Sequence, residues 1–501
     1  MPQDQELSPE AKADIQGFIT TGYKHLPFSA YLLVEIREPV RARKWLKRLL
    51  PEIATSKSWR EQAGAPKVTP ARMLSVAFTF DGLRGLGLSE QSLCSFPSEF
   101  REGMASPERS RILGDSEESA PIRWELGGPN APVIHAMIIL NAETRQDLEA
   151  CQAAQRESIE QCGAVIEHEK LVQHGERPAH GKEPFGFQDG IAQPRIKGIK
   201  GDGVSTGEFI LGYHNEYQFY PASPVVPAAE DPQGILPMSN NPYHQAIGYR
   251  DFGFNGTFLI YRKLEQDVTG FWRFLQAESV RLRGTADPRF MVWLAAKMLG
   301  RWPSGAPLVL APERDRPEFA KRNDFYYAQN DPEGLACPVG AHIRRTNPRD
   351  MIRAAGPMES LHMTARHRIL RRGKPYGKDL FDLRVLDGAE DPQALRAILD
   401  LKDDGQRRGL HFLSVNASIK SQFEFVQQTW ANNPHFNGLT ANRDPLVGDH
   451  ARPGDAPSSM LVPGCPHGLR TSPLPRFITM RGGAYFFMPS LTALRFLAEK
   501  P

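Results

Sequence analysis

The two halves of this 501-residue chain repeat one succession of units, and an internal duplication narrows the possible folds more than any single motif does. Residues 28–45 (FSAYLLVEIREPVRARKW) read as a β-rich run passing into a helix, and residues 254–272 (FNGTFLIYRKLEQDVTGFW) repeat that order with one residue more. A second such unit follows later in each half. Residues 133–154 are a strand that breaks at Asn141 and enters an amphipathic helix, and residues 409–430 repeat the pattern around Asn416. Two strand–helix units per half, with short strands between them, give βαββαβ, the ferredoxin-like order. Residues 73–80 and 163–169 are expected to complete the first sheet, and residues 366–370 and 482–488 the second. The expectation is an α+β chain of two ferredoxin-like domains, residues 1–220 and 221–501, with long loop insertions. Residues 184–253, rich in proline and glycine, exclude a continuous helix or central strand and read as loop packed across the domain junction.

Charge narrows the class of partner. Lys and Arg number 61 against 58 Asp and Glu, and the net +3 supplies no long-range field for nucleic acid or an anionic membrane. No apolar run approaches the roughly 20 residues of a membrane-spanning helix. Residues 1–12 hold neither an apolar signal core nor a twin-arginine pair, so the cytoplasm is the expected compartment. Five widely spaced cysteines without a C-x-x-C pair argue against a disulfide framework and against a zinc site. A small-molecule partner is expected, and the sequence leaves monomer and homo-oligomer both open.

Three segments carry the chemistry. Residues 186–190, G-F-Q-D-G, hold Asp189 between glycines, where backbone can approach a ligand closely; an isolated Asp-Gly also reads as an Asx turn. Residues 337–349, C-P-V-G-A-H-I-R-R-T-N-P-R, set His342 after small residues and before arginines. A neutral imidazole rising from a tight turn suits haem iron as an axial ligand. Arg345 and Arg349 are candidate partners of haem propionates, or else surface arginines. Residues 368–377, R-I-L-R-R-G-K-P-Y-G, deliver Arg371 and Arg372 on a strand, where neighbours point to opposite faces; one can face a pocket while the other is solvated or paired. Asp444 is the candidate acceptor for the second ring N–H of His342, or a cap on the turn at Pro445. Phe185, Phe187 and Leu380 are pocket lining or ordinary core.

Taken together, and in this order, the three segments resemble the dye-decolourising peroxidase family, over nearly the whole chain. The stretch G-R-W-P-S-G-A-P-L from Gly300 and the length resemble its larger members. The resemblance implies a dimeric α+β barrel-like arrangement of two ferredoxin-like domains, with one haem b (iron protoporphyrin IX) per chain held chiefly by the second. It implies that His342 is the proximal ligand of the iron, Asp189 the distal acid and base, and Arg371 the distal arginine. It further implies that hydrogen peroxide is reduced and dyes, phenols or similar small-molecule electron donors are oxidised by way of a ferryl-haem intermediate. The alternatives are a haem-processing enzyme that removes iron and a non-catalytic haem carrier or sensor. Storage needs no charged distal pair, so Asp189 with Arg371 separates these readings. Bulky donors would pass electrons through surface tyrosine or tryptophan; Trp302, Tyr376 and Trp430 lie near the motifs, but they read first as packing aromatics.

Overall fold

The computed structural model describes residues 6–57, 70–163, 165–167, 171–199, 201–352, 356–388, 391, 393–450, 454, 456–464 and 467–500. The first repeat runs β1 (Phe28–Ile36), α1 (Pro39–Leu49), β2 (Arg72–Phe78), β3 (Ala136–Ala142), α2 (Arg145–Cys162) and β4 (Val165–Glu167). After it, β5 (Gln173–Glu176) pairs with the start of β1. The second repeat begins with β6 (Thr257–Gln266), α3 (Val268–Arg283), α4 (Pro288–Leu299) and the short α5 (His342–Thr346). It continues through β7 (Leu370–Arg371), β8 (Lys374–Tyr376) and β9 (Gly409–Asn416) to a wide helix of π geometry over Lys420–Glu424 and Val426–Ala431, and ends in β10 (Ile478–Met488).

Local chemistry sets the helix ends. Pro39 opens α1, where a missing N–H costs nothing. Thr144 caps α2 by accepting from the Asp147 N–H, and Gly163 closes that helix in the left-handed conformation. Asp267 and Asp287 cap α3 and α4 in the same way as Thr144.

These strands make one antiparallel sheet in the order β8-β9-β6-β10-β2-β3-β1-β4. Counted within its own half, each set of strands runs fourth, first, third, second, so the duplication seen in the sequence is a duplication of topology. The halves meet through a single register pair, Phe487 opposite Phe78. At the far edges Lys374 of β8 lies against Gly175 of β5. Its ammonium donates to the Leu26 carbonyl at 2.5 Å and to Asn141 Oδ1 at 3.0 Å, which curls the sheet toward a barrel.

Both faces of the sheet are covered, which is why β1 is apolar at nearly every position. Tyr31 and Leu33 point into the barrel, against Leu259, Tyr261, Leu413 and Phe486. Leu32 and Val34 point outward into a core with Trp45 and Leu46 of α1 and Leu148 and Ile159 of α2. In the second half the outward positions include Arg262, Leu264 and Gln266 of β6, Leu410 and Phe412 of β9, and Ile478 and Met480 of β10, and these line a cavity. Where the first half seats helices, the second leaves a hollow.

The expected strand over residues 366–370 is corrected. A helix started by Pro357 runs on to Arg366, and the strand begins only at Leu370, where pairing with Val415 becomes available. The last strand starts at Ile478, ahead of the expected residue 482, with a bulge between Met480 and Gly482. Residues 164, 168 and 169 of the expected strand 163–169 lie outside the described residues, as does Cys465; Cys94, Cys151, Cys162 and Cys337 are unpaired.

Candidate active site

His342 is the first residue of α5, and the turn before it is held by buried charge. Asp331 accepts from the Cys337 N–H at 2.8 Å and from Arg344 Nη1 at 3.0 Å, while Arg344 also donates to the Cys337 carbonyl at 2.7 Å. Across the ring, His342 Nδ1 lies 2.9 Å from Asp444 Oδ2, and Asp444 has no exposed side-chain surface. The other carboxylate oxygen accepts from the Leu446 and Val447 N–H groups at 2.9 and 3.0 Å. Burial pushes the Asp444 carboxyl up, but the imidazole and these donors outweigh it and leave the group below its ordinary value. Because the pairing occupies Nδ1, Nε2 is left for the cavity that His342 lines, a space of about 280 Å³.

Asp189 reaches the same cavity from a tight loop. A bridge between Lys182 and Gln188 closes the loop, and the Asp189 N–H donates to the Gly181 carbonyl at 3.0 Å. Gly186 turns the chain at φ +104°, where a Cβ would also stand 2.3 Å from a methyl of Leu386; no side chain fits there. Opposite, Arg371 on β7 is fixed by its backbone N–H to Gln193 Oε1 at 2.9 Å, and its Nη1 lies 3.5 Å from Asp189 Oδ1. Arg372 points the other way and donates to the Phe18 and Ile19 carbonyls at 3.1 and 2.9 Å. His342, Asp189 and Arg371 therefore border one space.

A family model described as DyP dimeric alpha+beta barrel domain matches residues 14–178. The chain is 30% identical over 527 residues to Peroxidase 2 of Mycetinis scorodonius, covering 99% of this chain and 90% of that protein. The chain belongs to the dye-decolourising peroxidase family. It is a peroxidase with that family's α+β fold. Multifunctional dye peroxidase DyP2 of Amycolatopsis sp. is 30% identical over 486 residues, covering 93% of this chain and 91% of its own length. Among solved structures, an ancestral D-type dye decolorizing peroxidase matches with a TM-score of 0.75 at 27% identity, over 98% of this chain and 99% of that one. A fungal DyP-type peroxidase from Auricularia auricula-judae matches with a TM-score of 0.72 at 27% identity, over 97% and 99%. Among the described residues no helix is long and apolar enough to cross a membrane.

In this peroxidase Arg345, a candidate propionate partner, lies away from the cavity. Arg345 has no exposed surface, and its guanidinium donates to the carbonyls of Trp430, Ala431, Asn433 and Asn442. The carbonyls of Trp430 and Ala431 are unsatisfied C-terminal groups of the wide helix, so Arg345 caps that helix, and it is not among the residues that line the cavity. Arg349 does line the cavity, held by the Asn323 and Phe325 carbonyls at 3.0 and 2.8 Å and flat against the Phe325 ring. Phe185 and Phe187 line it as well; Leu380 packs in the adjoining core.

The sequence reading missed Arg368. It lines the cavity, and among the described residues the one hydrogen bond of its side chain is to the Ala192 carbonyl at 3.2 Å. Burial, and then the charges of Arg349 and Arg371, push its guanidinium down to about 10. The available signal was its position three residues before Arg371, which an assumed straight strand would have set on the opposite face.

The residues fit the cofactor that the family implies. Among the described residues no group of three or more His, Cys, Asp or Glu side chains could hold a bare metal ion, so one imidazole suits an ion that brings its other donors with it. The charges of Arg349 and Arg371 both act on Arg368, and Asp189 is the carboxylate paired with Arg371; the positive charge gathered there suits a ligand carrying carboxylates. Phe185, Phe187, Leu264, Phe412 and Leu446 supply apolar walls for a flat ring.

Proposed function

We propose that this peroxidase holds one haem b per chain, with His342 as the iron ligand, Arg349 and Arg368 as partners of its carboxylates, and Asp189 with Arg371 as the acid–base pair. When bound, haem supplies an iron with a vacant position at which hydrogen peroxide can coordinate. Asp189 would take a proton from one peroxide oxygen and pass it to the other, so that water can depart when bound haem supplies the two electrons. Arg371 holds that carboxylate in place and offsets the negative charge that gathers on the departing oxygen. Asp444 fixes the imidazole tautomer and raises the electron density it can donate. Small donors such as phenols, and dyes too large for the cavity, are the proposed sources of electrons.

The observation that supports this reading is the shared cavity, with a carboxylate-bound imidazole at one wall and the Asp189–Arg371 pair at another. A simple haem carrier has no use for the second pair. Absorption spectra of the purified protein are expected to show a Soret band that changes within milliseconds of mixing with peroxide. A protein with a Soret band but no change on mixing would favour the carrier reading.

Arg368→Leu tests the carboxylate contact separately. Loss of one charged hydrogen bond, about 1.5–3 kcal/mol, is expected to weaken haem binding roughly 10- to 100-fold. Haem transfer to excess apomyoglobin would measure this, and Arg345→Leu would serve as contrast because its effect falls on thermal stability.

A further inference from the structure

Glu183 also lines the cavity, and the mechanism above leaves it without a role. Its carboxylate is folded back onto the loop that carries Asp189. Oε2 accepts from the Phe185 N–H at 3.1 Å, and Oε1 accepts from the Phe187 N–H at 3.0 Å. On the other side of the same loop Lys182, 1% exposed, donates to the Gly186 and Pro303 carbonyls, both at 3.0 Å, and pairs with Asp387 at 2.7 Å. Two successive side chains thus clamp the turn from opposite sides, one by accepting from it and one by donating to it.

The third partner of Glu183 comes from the sheet. Gln266 Nε2, at the end of β6, donates to Glu183 Oε2 at 2.7 Å, while Gln266 Oε1 is buried and has no hydrogen-bond partner among the described residues. A side-chain amide can turn over in place, exchanging donor for acceptor. Facing a carboxylate it presents Nε2, as here; facing a protonated carboxyl it would present Oε1 to the new O–H. Each protonation state then has a partner on β6, and each leaves one end of the amide over.

We propose that Glu183 and Gln266 form a proton-holding pair behind Asp189, in which the protonation state of Glu183 sets how firmly the loop carrying Asp189 is held. Glu183 is a positioning residue in this scheme, acting through Asp189, and the proposal rests on the peroxidase reading above. Hydrogen bonds to a carboxylate are stronger than those to a neutral carboxyl, so the ionised form clamps the Phe185 and Phe187 N–H groups and the protonated form relaxes them. On its own loop Glu183 is flanked by Asp189 and by Lys182 with its partner Asp387; the shared cavity wall also carries the charged or titratable groups of Asp115, His342 and the arginines at 262, 301, 349, 368, 371 and 476. Loss of hydration pushes the Glu183 carboxyl up to about 6; the Gln266, Phe187 and Phe185 donors oppose the rise and the Asp189 charge adds to it. The change of state therefore falls where a peroxidase can work.

Infrared difference spectra of the holoenzyme, recorded across a pH titration without substrate, test the pair directly. A carboxylic-acid carbonyl band is expected to disappear as pH rises through about 6, and to be absent from Glu183→Gln. The pre-steady-state rate with peroxide is expected to rise over the same interval by about tenfold, less than the roughly 10²-fold that misplacing reacting groups by 1 Å costs. In Glu183→Gln that inflection is lost and the rate stays near the low-pH value. Gln266→Leu removes a donor that favours the carboxylate, so both inflections should move to higher pH, which keeps the test open if Glu183→Gln folds poorly. An infrared band and rate inflection that persist unchanged in Glu183→Gln, or that do not move in Gln266→Leu, would overturn the proposal. Failure of the peroxidase reading looks different: the infrared titration would remain while no peroxide reaction could be timed.

Discussion

Asp189→Ala is expected to slow the reaction with peroxide by about 10²- to 10⁴-fold, the range over which a positioned acid–base group contributes, with little loss of bound haem. The separation follows from the geometry. Asp189 borders the cavity from a different segment of the chain than His342, whose partner Asp444 is buried behind it, and its contacts are to the Gly181 carbonyl through its backbone and to Arg371 through its side chain. Removing the carboxylate takes away the proton carrier and leaves the imidazole–carboxylate pair untouched. Arg371→Leu removes charge stabilisation, worth about 10²- to 10³-fold, and also frees Asp189 from its ion pair. The two effects are therefore expected to combine to less than their product, because the residues act as one unit. Stopped-flow rates for both single variants and the double variant, with the Soret absorbance recorded before mixing, give the comparison. Undiminished rates in Asp189→Ala would remove Asp189 from the proposed mechanism.

Much of the architecture was legible because the repeated units obey simple periodicities. The run at β1 and the first half of β6 are apolar on both faces, and the helices that follow these strands begin at Pro39 and after Asp267, both recognisable starts. The short strands resisted, since β7 and β8 are two and three residues long and are separated by Arg372 and Gly373, too brief for any alternation to register. At the site, the residues that border the cavity from unlike segments of the chain were readable from their motifs. Residues whose role depends on which way a guanidinium turns were not. Arg345 and Arg349 look alike in R-R-T-N-P-R, yet one fills the carbonyl-lined end of a helix and the other faces the cavity. Nor did anything in the local sequence mark Gln266, whose meaning comes from a partner on a distant loop.

His342→Ala is expected to abolish peroxidase turnover by a different route, through loss of the iron ligand. Partners one step removed from a metal already change affinity or activity by about 10- to 100-fold, so removal of the ligand itself should exceed that and leave protein purified largely without a Soret band. The structure predicts a second consequence. Asp444 has no exposed surface, and its Oδ2 has lost its partner in the variant, so a buried carboxylate is left with the Leu446 and Val447 N–H donors on its other oxygen. Breaking a buried charged pair from one side costs about 3–5 kcal/mol. In the wild type the depressed Asp444 carboxyl contributes stability above its unfolded value, and that contribution is lost as pH falls through the folded one. Without His342 the cause of the depression is weakened, so the variant should be destabilised most near neutral pH and come closer to the wild type in acid. His342→Ala with Asp444→Asn removes the stranded charge and is expected to recover stability without recovering haem. Thermal unfolding of the apo forms at pH 4 and pH 7, alongside haem content, distinguishes a ligand from a histidine that only packs: equal stability losses at both pH values, with haem retained, would assign His342 a structural role.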